Sequence, residues 1–200
     1  YNFTVKENNF FYFEDEFGGI KLPKPNLLGA FQLENVSTAI ATVRQLKDYK
    51  ITDEHIKSGI TKIESVARLQ EIKSGKLKDL VKNNTLFLDG SHNPLGASVL
   101  NQHLQSLNCK KHVILGMMAN KDHNEYINYF TGIETLTTID IPNQPNAIKG
   151  KDLKKKINNF SNVEYKDSLE NAISSIKIQK NDIILITGSL YLAGEVLNLN

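Results

Sequence analysis

Apolar positions along the 200 residues fall into two textures. In the first, residues 1–22 hold Tyr1, Phe3, Phe10, Phe11, Tyr12, Phe13 and Phe17. Asn8-Asn9 and Gly18-Gly19 interrupt that set, and Pro23 and Pro25 close it. The pattern predicts two or three short antiparallel strands whose rings serve as core rather than as a stacking platform for bases. Val36, Ala39, Ile40, Val43 and Leu46 then recur at helical spacing. Thr52-Asp53-Glu54 begins a second helix carrying Ile56, Ile60 and Ile63.

After Ser65-Val66-Ala67-Arg68-Leu69 the texture changes. Strand-like runs appear at 85–88, 112–115, 135–141 and 182–187, with a weaker one at 163–165. Helical patterns lie between them near 94–107, 122–131, 149–158 and 168–178, and a last one starts at about 190. Short apolar runs without polar alternation suit strands covered on both faces. Their alternation with helices predicts an α/β fold, a Rossmann-like, mostly parallel sheet with helices on both faces. The domain boundary is expected near residue 67, which divides the chain into 1–66 and 67–200.

Composition narrows the function. A net charge of +2 argues neither for nucleic acid nor for an anionic surface as partner. Leu153 and Ile157 mark the buried side of the basic run 149–156, which reads as a solvated helix face. No apolar run approaches the ~20 residues of a membrane span. The lone Cys109 cannot form an internal disulfide, which fits a reducing cytoplasm. The first residue is Tyr1, within strand-like sequence, so the chain is expected to be a piece of a longer protein.

Candidate chemistry sits where strands give way to helices. Asp89-Gly90-Ser91-His92-Asn93 follows the run 85–88, and Pro94 then occupies a first helical position, where its missing N–H costs nothing. Gly116-Met117-Met118-Ala119-Asn120-Lys121-Asp122 follows 112–115, and Thr187-Gly188-Ser189-Leu190-Tyr191 ends the run 182–187. Ligands of open α/β sheets bind at this edge, and these polar residues suit an anionic substrate bearing hydroxyls or carboxylates. A plainer reading remains, in which Asp89 or Asn93 caps a helix and His92 is a surface loop residue. There is no G-x-x-x-x-G-K-[ST] loop, no zinc spacing and no G-x-S-x-G elbow, so phosphates are not cradled by this chain alone and a nucleophilic hydrolase is disfavoured.

Four ordered segments carry a resemblance: Leu28-Gly29-Ala30-Phe31-Gln32-Leu33-Glu34-Asn35 leading to Ala39; Ala67-Arg68-Leu69-Gln70; Leu88-Asp89-Gly90-Ser91-His92-Asn93-Pro94; and 116–122 with Thr187-Gly188-Ser189-Leu190-Tyr191. In that order they resemble the carboxyl-terminal half of the folylpolyglutamate synthase/dihydrofolate synthase family, within the Mur ligase superfamily. The family motifs read G-x-HQ-x-x-N, G-R-L-Q and D-G-A-H-N-P; here Phe31 replaces the His, Ala67 the Gly and Ser91 the Ala.

The resemblance implies that Asn35 bonds the adenine edge of ATP, Arg68 reaches its phosphates, Asp89 accepts from the ribose hydroxyls and His92 contacts the phosphate region. It also implies that Lys121, and less directly Ser189, bind the carboxylate of L-glutamate. Arg68, His92 and Lys121 would then be the catalytic set. The implied reaction is ATP-dependent amide synthesis on dihydropteroate or a folate through an acyl phosphate. Its Mg²⁺ ligands and phosphate loop belong to an amino-terminal half that is not in this chain.

In this reading 1–66 is the tail of a central ATP-binding domain and 67–200 is the terminal domain of a monomeric, cytoplasmic enzyme. It has no nucleic-acid or membrane partner, and the chain alone is expected to be inactive. The alternatives are a Mur-type ligase acting on a cell-wall precursor and a non-catalytic domain that binds a small ligand.

Overall fold

The computed structural model describes residues 1–6 and 9–200, so the Asn8 part of the expected Asn8-Asn9 break lies outside the described residues. The chain forms two compact units, Tyr1–Ser65 and Val66–Asn200.

In the first unit, β1 (Asn2–Lys6), β2 (Phe10–Asp15) and β3 (Gly18–Pro23) form an antiparallel meander. Phe11 pairs with Leu22 and Phe13 with Ile20, so one face of the ribbon is apolar. That face packs with Val36 and Ile40 of α1 (Gln32–Arg44) and Ile56 and Ile60 of α2 (Asp53–Thr61) into one core. The aromatic residues of β2 divide by strand parity, Phe10 outward and Phe11 and Phe13 inward. Phe11 and Phe13 are fully buried, whereas Tyr1, Phe3, Phe10 and Phe17 are exposed. The α1 stripe is shorter than its spacing predicts, because α1 stops at Arg44 and Leu46 lies beyond it, exposed. Thr52 starts α2 as expected, through a capping box with His55.

The second unit runs β4 (Gln70–Glu71), α3 (Lys76–Val81), β5 (Thr85–Leu88), α4 (Pro94–Gln105), β6 (Lys111–Leu115), α5 (His123–Asn128), β7 (Thr135–Ile139), α6 (Gly150–Lys156), β8 (Val163–Lys166), α7 (Leu169–Ser175), β9 (Ile183–Thr187) and α8 (Leu190–Leu199). Its sheet has the order β4-β5-β9-β6-β7-β8, parallel except for β4. The five longer strands and five of the helices match the expected runs to within a few residues; β4 and α3 are additions.

Side chains alternate between two cores. Leu86, Leu88, Ile114, Ile184 and Ile186 face α3, α7 and α8 on one side. Phe87, Val113, Leu115, Ile183 and Leu185 face α4, α5 and α6 on the other. Burial on both faces is why these strands read as unbroken apolar runs. This is the expected α/β architecture, with helices on both faces of a mostly parallel sheet.

Candidate functional site

The last strand, β9, inserts between β5 and β6, aligning Leu88 with Ile186 and Leu115 with Thr187. The chain leaves β5 and β6 for the face covered by α4 and α5, and leaves β9 for the face covered by α8. Adjacent strands that send their helices to opposite faces open a crevice at their carboxyl ends. Backbone bonds tie the three turns along that crevice. Asp89 N–H donates to Ile186 O (2.9 Å), Gly188 N–H to Ser91 O (3.1 Å) and Gly116 N–H to Thr187 O (3.2 Å). Gly188 has φ +108°, and a Cβ there would lie 2.7 Å from Gly116 O, so only glycine fits so close an approach of two turns.

Beneath these turns the fully buried Tyr126 hydroxyl meets Thr187 Oγ1 (2.8 Å), Ser91 Oγ (3.0 Å) and Ser91 O (3.2 Å). Burial pushes the phenol well above its ordinary pKa, so it stays neutral and serves as a hydrogen-bonding hub. No sequence motif pointed to Tyr126, which sits at an apolar position of α5.

Asp89 is not presented as a free acceptor. Its side chain belongs to a residue only 3% exposed, and each carboxylate oxygen takes a backbone N–H, Oδ2 from Leu69 (2.7 Å) and Oδ1 from Ser91 (2.7 Å). The carboxylate thus holds two chain segments, and a ribose hydroxyl, the contact that the resemblance implies, would use the lone pairs left over. Ser189 is engaged in a similar way. It is 2% exposed and caps α8, its Oγ accepting from Tyr191 N–H (3.1 Å).

Half-buried His92 places Nδ1 3.1 Å from Gly90 O. A carbonyl only accepts, so Nδ1 is the donor in this bond and Nε2 is left without a partner among the described residues. Asn93 caps α4 through Gly96 N–H (2.8 Å), and Pro94 begins the helix. The loop after β6 is pinned by a bridge between Met118 and Ala147 and by Ala119 N–H donating to Asn146 O (2.9 Å). From that loop Lys121 projects half-buried, while Asp122 caps α5.

Arg68 is exposed. Among the described residues no carboxylate pairs with the Arg68 guanidinium or the Lys121 ammonium. Asn35 belongs to the first unit, exposed on α1, where one Nδ2 hydrogen goes to Gln32 Oε1 (3.1 Å) and its other amide groups remain free. A separate polar cleft of about 440 Å³ lies at the opposite, amino-terminal ends of β6–β8. Its Lys110 is paired with Glu134.

The profile of the "Mur ligase, glutamate ligase domain" matches residues 67–190. The chain belongs to the Mur ligase family. Folylpolyglutamate synthase of Lacticaseibacillus casei is 29% identical over 192 residues, covering 93% of this chain and 42% of that protein. The dihydrofolate synthase/folylpolyglutamate synthase of Bacillus subtilis is 26% identical over 184 residues, with 86% and 40% covered. The chain thus spans less than half the length of these curated relatives. Among solved structures, E. coli FolC in complex with ADP has the same fold, with a TM-score of 0.81 at 20% identity over 98% of this chain and 45% of that one. Thermotoga maritima folylpolyglutamate synthase has a TM-score of 0.75 at 24% identity over 98% and 45%. The second unit is therefore a Mur ligase glutamate ligase domain, and the Asp89–Asn93 turn and the Lys121 loop lie within its matched span.

Proposed function

We propose that this chain is the carboxyl-terminal part of an ATP-dependent ligase that joins L-glutamate to dihydropteroate or a folate. The crevice above β5, β9 and β6 is the observation that carries this reading, because it sets the turns bearing Asp89 and His92, Lys121 and Ser189 side by side where α/β sheets take ligands. The relatives that match are named for folylpolyglutamate and dihydrofolate synthesis, which supports the choice of substrate. In this reading residues 1–66 end a central ATP-binding domain and 67–200 form the terminal domain.

Arg68, exposed and unpaired, binds the phosphates of ATP, for which its planar fork is suited. His92 reaches the same region through Nε2, which donates to a phosphate oxygen when it carries a proton, and Asn35 keeps amide groups free for the adenine edge. Lys121 takes the α- or side-chain carboxylate of glutamate as a point charge. Ser189 caps α8 through its oxygen and keeps its hydroxyl proton for the carboxylate of glutamate.

Phosphoryl transfer from ATP activates the pterin substrate's carboxylate, and the amine of glutamate then displaces phosphate. Arg68 offsets charge on the transferring group and Lys121 orients the amine, so positioning and electrostatics are this chain's contributions. Among the described residues no three His, Cys, Asp or Glu side chains converge as a metal site. In the ligase reading Mg²⁺ would be held by the nucleotide phosphates and by residues of the amino-terminal half. Such a ligase works in the cytoplasm, where ATP and glutamate are available.

The test is glutamate-dependent ADP release by the full-length protein. Release is expected only when a pteroate or folate is present. Release with a muramyl peptide alone would assign the cell-wall ligase reading instead.

A further inference from the structure

Two residues without glycine's freedom adopt left-handed backbone on either side of Arg68: Ala67 at φ +55° and Leu69 at φ +48°. L-residues rarely adopt this conformation, and its use on both sides of one residue requires surroundings that over-determine it. Four contacts do so. Ala67 N–H donates to the Gln70 side chain (Oε1, 2.9 Å), and Ala67 O accepts from Gly90 N–H (2.8 Å). Leu69 N–H donates to Asp89 Oδ2 (2.7 Å), whose partner oxygen holds Ser91 N–H. β4 then pairs Gln70 with Leu88, next to Asp89.

The two flanking side chains are also buried in different places. Ala67 belongs to the core beneath α7 and α8, and Leu69 to the core beneath α4 and α5. With its neighbours anchored in the two opposite cores of the sheet, the Arg68 side chain has only the solvent direction left.

We propose that Gln70 and Asp89 are positioning residues that clamp the Ala67–Leu69 turn and so aim Arg68 at an anionic phosphoryl group before substrate arrives. This rests on the ligase reading above. The Arg68 side chain is flexible and unpaired, and a clamp on its backbone removes the freedom that binding would otherwise have to freeze out. The polar side chain of Gln70 is spent on a backbone amide three residues back, and that of Asp89 on one twenty residues back. Neither needs to touch the nucleotide to influence turnover.

The experiment compares four forms of the full-length protein: Gln70→Met, Gln70→Glu, Arg68→Ala and the Arg68→Ala/Gln70→Met double variant. Met keeps the length of Gln and removes the acceptor, whereas Glu keeps an acceptor oxygen at the same reach. Gln70→Met is expected to lower kcat about three- to tenfold, the worth of one hydrogen bond, with KM for glutamate unchanged. Gln70→Glu should recover most of that loss, and Gln70→Met should cost nothing more once Arg68 is alanine. Equal losses in both backgrounds, or Glu behaving like Met, would overturn the proposal.

Amide exchange on the same proteins separates this outcome from failure of the ligase reading. Gln70→Met should speed exchange at Ala67 and leave Leu185 in β9 protected. A wild-type protein that releases no ADP would sink the ligase reading, while exchange at Ala67 unaltered by Gln70→Met would sink the clamp. For Asp89, Asp89→Asn should speed exchange at Leu69 by at least as much.

Discussion

The phenol oxygen of Tyr126 lies 2.8 Å from Thr187 Oγ1, linking α5 to the end of β9 across 61 positions of the chain. The same hydroxyl reaches Ser91, so one buried side chain ties the turn after β5 to the turn after β9. The crevice therefore has a rigid floor.

Replacing Tyr126 by Phe keeps the ring and leaves the buried Ser91 and Thr187 hydroxyls only each other, at a long 3.5 Å. Leaving such groups unsatisfied costs about 1–3 kcal/mol, which urea titration of the second unit's transition would register. Ser91→Ala, which restores the family motif, should cost less than Tyr126→Phe, because Tyr126 keeps Thr187 and the Ser91 carbonyl. Equal losses would remove Tyr126 from its place as the hub.

Ala67 tests the left-handed backbone. Ala67→Gly removes roughly 1–2 kcal/mol of strain but gives up a buried methyl and adds unfolded-state entropy of similar size. Its net effect should be small, under about 1 kcal/mol. Ala67→Val places a β-branched side chain at φ +55° and should destabilise by about 2 kcal/mol or more. Thermal unfolding of the two variants side by side checks the contrast.

Asp89→Ala leaves the Leu69 and Ser91 amides without their carboxylate partner. Hydrogen bonds to a charged acceptor are worth about 1.5–3 kcal/mol each, so a loss of about 3 kcal/mol or more is expected from denaturant titration. Asp89→Asn, which retains one acceptor oxygen, should lose about half as much. A nucleotide contact alone would leave the stability of the free protein unchanged, so the two accounts of Asp89 differ in a protein with no nucleotide bound.

Stability should fall as pH drops from 7 towards 5. Burial lowers the pKa of His123 below its ordinary 6.5, and the Lys156 ammonium 3.5 Å from Nδ1 adds to this. Burial also lowers His103. A group whose folded pKa is depressed binds fewer protons folded than unfolded between the two values, so stability is lost as pH falls through the unfolded value and levels off below the folded one. His123→Gln, which retains a donor for the Met118 carbonyl, should flatten the slope. A steeper slope in that variant would contradict the assignment.

For the ligase reading, Lys121→Met should raise KM for glutamate at least tenfold and leave KM for ATP within about twofold, as expected for a charge-assisted contact to one substrate. Steady-state kinetics of the full-length protein decide it.

The apolar runs by themselves determined that the second unit has a mostly parallel sheet, because a strand covered on both faces has no polar side to display. They also located the three polar turns, since Pro94, Asp122 and Ser189 announce helix starts within a few residues. The motifs around Arg68 and Asp89 were readable too. Their arrangement was not. That β9 lies between β5 and β6, that Tyr126 reaches beneath two turns, and that Asp89 spends its carboxylate on Leu69 and Ser91 are all contacts between distant positions. Local spacing records which way a side chain faces within its own element, but its partners are chosen when the chain packs. The same packing sorted the aromatic residues of β2, where strand parity sent Phe11 and Phe13 inward and left Phe10 in solvent.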